Sequence, residues 1–133
     1  MTLIALFRAL SIIVAFALTA LVFYAGEPND PGWWTGALPF ALWIIGPAVA
    51  PCLIAKPKSS RWFAITMFSY FIVSSLFAGF AYHDAFFRSK SSTAALVMVF
   101  VPLYQWLALA ILLLLCFGIR RAGRHIGGGR DAG

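Results

Sequence analysis

Four long apolar runs take up most of this chain, and no soluble fold of its size has enough polar surface to hide them all. They are LIALFRALSIIVAFALTALVFY, Leu3 to Tyr24; ALPFALWIIGPAVAPCLIA, Ala37 to Ala55; WFAITMFSYFIVSSLFAGFAY, Trp62 to Tyr82; and TAALVMVFVPLYQWLALAILLLLCFGI, Thr93 to Ile119. A helix needs roughly 20 apolar residues to cross the hydrocarbon layer of a bilayer. One such helix can be buried in a soluble core, but the core must then be wrapped by amphipathic elements. With 62% of the 133 residues hydrophobic and 11% charged, nothing is left to wrap it. The sequence predicts an all-α integral membrane four-helix bundle. It has a single transmembrane domain over residues 1–119, with helices at about 3–24, 37–55, 62–82 and 93–119, and a short basic tail over 120–133.

The second run is the least regular, because Pro39, Pro47 and Pro51 each remove a helical hydrogen bond. In a membrane bundle neighbouring helices can re-satisfy the freed carbonyls, so this run and the fourth, which contains Pro102, are expected to be proline-kinked spans. The first run is expected to remain as a span. As a secretion signal it would be long in its apolar part, and cleavage after Ala25 would place Phe23 where a small side chain is required.

Orientation follows from the basic residues. Arg8, Lys56, Lys58, Arg61, Arg120, Arg121, Arg124 and Arg130 fall on one side of the four spans, leaving Arg88 and Lys90 on the other, so eight of the ten share a face. The excess of Lys and Arg in short cytoplasmic loops predicts both termini inside (N-in, C-in), as in a bacterial-type inner membrane. Glu27, Asp30 and Asp84 then lie outside. Between the first two spans AGEPNDPGWWTG, residues 25–36, supplies an external turn through Asn29-Asp30-Pro31-Gly32. Trp33 and Trp34 are rings suited to the headgroup layer, expected to anchor the hairpin and to offer a contact surface.

Chemistry is sparse. An ionisable residue deep in a span is a functional hypothesis by default, and these spans hold none except Arg8, which is near enough to an end to reach water. The membrane glutamate of small multidrug-resistance transporters is therefore missing. Four-span quinone-linked disulfide-forming proteins carry externally facing cysteine pairs; Cys52 and Cys116 lie toward the other side, and the resemblance stops at span count. His83 and His125 fall at opposite faces and cannot share a metal or a haem. The tail's GGGR lacks the strand, lysine and helix of a phosphate-binding loop, and four arginines without a folded module fit anionic lipid better than nucleic acid. The expectation is no enzyme, no cofactor and no metal.

What remains is packing. Ser11, Ala15 and Thr19 recur at every fourth residue, as do Ser75 and Gly79 beside Ser74 and Ala78, and such small residues let helices approach in lipid. Gln105 places an amide inside a span, three residues past Pro102, while Pro47 sits at middle depth of span two. Two readings follow. In the first, the chain is a noncatalytic inner-membrane protein that acts through contacts with another membrane protein or a second copy, as an accessory subunit or inhibitor. In the second, an oligomer passes a small uncharged or hydrophobic solute along Pro47, Pro102 and Gln105.

Overall fold

Short polar residues decide where the helices begin. Thr2 caps the first, its hydroxyl accepting from the Ala5 amide at 3.3 Å, and Ser60 caps the third by accepting from the Phe63 amide at 3.4 Å. The computed structural model describes residues 2–56, 59–88 and 94–127. Within them the order is α1 Leu3–Ala25, α2 Trp33–Ile54, α3 Arg61–His83, continued by a π-helical turn at Asp84–Arg88, and α4 Ala94–Gly127. All four helices are long and apolar enough to cross a membrane, the architecture of a multi-pass transmembrane protein. Lys58, Lys90, Thr93 and residues 128–133, which figure in the sequence expectations, lie outside the described residues.

α1 ends where expected, at the extended Gly26 before Pro28. α2 starts four residues earlier than expected, so both tryptophans are in its first turn instead of in the loop. The turn before it accounts for this. The Asp30 carboxylate accepts from the Gly32 amide at 2.9 Å, the Asp30 carbonyl accepts from the Trp33 amide at 3.1 Å, and Thr35 donates back to the Gly32 carbonyl at 2.8 Å. These bonds take up polar groups that a loop would have left to water. α4 runs past Ile119 into the basic segment, and the stretch of it long and apolar enough to span a membrane is Leu96–Ala122.

α2 and α3 form the diagonal of the bundle, each in contact with every other helix, while the backbones of α1 and α4 do not approach one another among the described residues. Two apolar clusters fill the space. At the end that carries Arg8 and Arg120, Phe7, Phe63, Met67, Phe71 and Leu109 are buried together; toward the hairpin, Val22, Ile44, Tyr82, Met98 and Val101 are. Phe7 anchors the first, its ring 5.4 Å from that of Phe68 and 5.2 Å from that of Phe71. Outward-facing positions are apolar as well, among them Ile12, Phe16, Leu42, Phe80 and Leu114. In water this would be an aggregating surface, whereas in lipid it is ordinary contact with acyl chains.

Of the small-residue patterns, Ser74 and Ala78 are buried, but Gly79 is exposed with open space where a side chain would be. A close approach between helices is found elsewhere. Gly46 of α2 lies under the indole of Trp106 on α4, and a Cβ at Gly46 would be driven into that ring.

Candidate functional site

Four polar side chains within the spans, Gln105, Tyr70, Ser11 and Trp43, form helix-to-helix hydrogen bonds, whereas Thr19 and Thr66 bond back within their own helices and the Tyr82 hydroxyl and the Trp106 indole N–H are buried without a partner among the described residues. Gln105 is 7% exposed, and its Nε2 donates to both the Ser74 carbonyl, at 3.0 Å, and the Ser74 hydroxyl, at 2.8 Å. One turn along α3, the Tyr70 hydroxyl donates to the Gln105 backbone carbonyl at 2.6 Å. Tyr70, Ser74 and Ala78 follow at four-residue intervals on one stripe of α3, and the first two both bond to Gln105. An unpaired amide in hydrocarbon would be costly; here it joins two helices.

A second set of bonds surrounds the prolines. Pro51 leaves the Pro47 carbonyl without its helical donor, and the next carbonyl, that of Ala48, accepts from the Ser11 hydroxyl of α1 at 3.0 Å. Pro102 leaves the Met98 carbonyl without its donor, and the next, that of Val99, lies 3.4 Å from the Trp43 indole nitrogen of α2, which donates to it. In both helices a neighbour's donor reaches the carbonyl three residues before a proline. Nothing in the sequence singled out Ser11, Trp43 or Tyr70 for these roles. The available signal was that each is a hydrogen-bond donor placed well inside an apolar run, where it must find a partner.

Gln105 lines a pocket of about 210 Å³ between α1, α2, α3 and α4, with Leu18, Ala48, Ser75, Ala78 and Gly79 in its wall. Pro47 and Pro102 are fully buried but are not part of that wall. Of the three residues expected to form one internal route, Gln105 lines this pocket, while Pro47 and Pro102 are packed in the core. Trp33 and Trp34 are elsewhere, fourteen residues before Pro47, or about 20 Å along the helix.

At the hairpin, Trp33 is half-buried. A Cβ at Gly26 would be driven into its indole, so glycine there is what lets the ring close over the end of α1. Trp34 is 39% exposed and ties down the loop by donating from its indole N–H to the Pro28 carbonyl at 3.1 Å. Phe23 completes the group, 5.7 Å from Trp33 and 5.5 Å from Trp34, with the two indoles 5.0 Å apart and nearly perpendicular. Beside them Tyr24 stacks on Phe87 of the π-helical turn at 5.7 Å. The pair expected to act together thus divides: Trp33 is a packing residue and Trp34 presents a surface.

The remaining chemistry-bearing residues are dispersed. His83 is exposed and packs against Phe87, its ring 5.7 Å away. Cys52 and Cys116 are free thiols, each half-buried against the cluster around Phe7. Among the described residues no three of His, Cys, Asp and Glu come together as a metal site. Comparisons with protein-family models, with curated proteins and with solved structures found no match to this chain.

Proposed function

We propose that this is a noncatalytic inner-membrane protein that acts by contact with another membrane protein, as an accessory subunit or inhibitor. The observation that carries this reading is the use of the intramembrane polar groups. Gln105, Tyr70, Ser11 and Trp43 each hold one helix against another, which is what a rigid scaffold requires. The surface left for a partner is the aromatic hairpin, with Trp34, Tyr24 and Phe87 exposed near the acids Glu27 and Asp30. The basic residues orient the chain with both termini in the cytoplasm and the hairpin outside, and the prolines kink α2 and α4. Residues 1–119 form the membrane domain and the basic segment after them lies against anionic headgroups.

The test is crosslinking from a photoreactive residue at Trp34, followed by purification in mild detergent. One protein captured at stoichiometric yield, and lost when a photoreactive residue is placed at Leu114 instead, supports the reading. A monomer without a partner across several expression conditions overturns it. The second reading, an oligomeric carrier or channel for a small uncharged or hydrophobic solute, draws on the pocket beside Gln105. It requires flux in proteoliposomes that changes when Gln105 is replaced by Leu.

A further inference from the structure

A groove of about 520 Å³ lies in the outer face between α1 and α2, separate from both the hairpin and the pocket at Gln105. Its floor is apolar in effect. Two hydroxyls line it, but Ser11 already donates to the Ala48 carbonyl and Thr19 donates to the Ala15 carbonyl at 2.8 Å. The charged residues on its wall are Arg8 and Lys56, both basic and both exposed, and among the described residues no acid lines it. They belong to the same end, because the start of α1 runs beside the finish of α2.

Length decides what fits. From Arg8 to Thr19 is eleven residues of helix, about 16 Å, which matches one leaflet of a hydrocarbon core roughly 30 Å thick. A partner's membrane-spanning helix would follow the full thickness, whereas this groove is confined to one half and is capped by two cations at headgroup level. We propose that it is a binding site for an anionic phospholipid, with the acyl chain lying along Ala15 and Phe16 and the phosphate between Arg8 and Lys56. The site does not depend on the partner or on which side faces the cytoplasm. Bound lipid completes the packing of α1, which is otherwise held mainly by α2.

Native mass spectrometry of the full chain in mild detergent tests this, with phosphatidylglycerol and phosphatidylcholine of matched chains added at equal concentration. Phosphatidylglycerol is expected to be retained in preference, as a single adduct. Each basic residue beside an anionic headgroup contributes roughly fivefold, so the Arg8→Gln/Lys56→Gln variant is expected to lose about 30-fold in retention. Arg88→Gln, at the other end, leaves retention unchanged. Ala15→Leu, which fills the groove while keeping both charges, lowers retention of the lipid, and excess glycerol phosphate does not displace it, which separates a lipid site from a phosphate site. Equal retention of the two lipids, displacement by glycerol phosphate, or an adduct insensitive to both the charge and the groove variants would overturn the proposal. Circular dichroism of each variant confirms that helix content is kept.

Discussion

Gly46→Ala is a one-methyl change that strikes a close contact between α2 and α4. The new methyl would occupy the space of the six-membered ring of Trp106, and that ring is stiff and attached to a different helix, so α2 and α4 must separate or the indole must leave its rotamer. Overpacking of this kind costs typically about 1–3 kcal/mol. Replacing glycine within a helix returns up to about 0.5–1 kcal/mol. In lipid that return is at its lower end, because the helix persists when the bundle comes apart. The expected net loss is about 1–2 kcal/mol, a factor of roughly 5–30 in the folded-to-unfolded ratio. The assay is reversible SDS titration in mild-detergent micelles, read by the fluorescence of the tryptophans. Trp106→Leu then serves as the partner in a double-mutant cycle. It loses ring packing, but it also removes an indole N–H that is buried without an acceptor among the described residues. Against the leucine background Gly46→Ala should cost less than half of what it costs alone, a coupling within the range measured for touching residues. If the two changes add, the contact between Gly46 and Trp106 is not what sets the spacing of α2 and α4.

Other outcomes follow from the polar seam and the surface. Gln105→Leu removes two donated bonds to Ser74 but also relieves a buried amide, so in the same titration it should shift stability by no more than about 1 kcal/mol, and it should leave proteoliposome flux at background under the contact reading. A loss well above that would mean the seam is the main fastening of α3 to α4. Ser11→Ala should cost about 0.6 kcal/mol through its bond to the Ala48 carbonyl, with helix content unchanged by circular dichroism. On a background lacking Cys52 and Cys116, cysteines at Asn29 and Arg88 should label with an impermeant reagent on intact cells, and one at Arg121 only after permeabilisation; external labelling at Arg121 would reverse the orientation.

The spans were legible because the bilayer imposes one crude requirement, a length of apolar helix, and α1 obeys it to within one residue of the sequence boundary. The boundaries that shifted did so through interactions hydropathy cannot register. Trp33 and Trp34 belong to α2 because Asp30 accepts from the Gly32 amide and the Asp30 carbonyl accepts from that of Trp33, and these short-range bonds outweigh the preference of indoles for the headgroup layer as loop residues. α4 continues past Ile119 because arginines are good helix formers and their charge ends the apolar window, not the helix. For the candidate site, the sequence marked Gln105 as an amide inside a span, where a hydrogen-bond partner is required. It could not mark which serine, because Ser69, Ser74 and Ser75 all lie on the same helix and only the rotation of α3 against α4 chooses among them.

The prolines carry the same lesson further. Read along the chain, Pro47, Pro51 and Pro102 are defects, and it is natural to look for a cavity where backbone bonds are missing. In three dimensions they are among the most deeply buried residues, and the polar disturbance around Pro51 and Pro102 is met from outside the helix, by Ser11 and by Trp43. Each of these donors sits on a helix earlier in the chain than the defect: α1 serves α2, and α2 serves α4. α2, with three internal prolines, is thus tied on two sides, with a carbonyl near Pro51 bonded from α1 and the Trp43 indole bonded out to α4. Removal of α1 as a unit should then take from α2 the outside donor to its Ala48 carbonyl, and from the lipid groove at Arg8 and Lys56 one of its two walls, so the lipid should be lost with it.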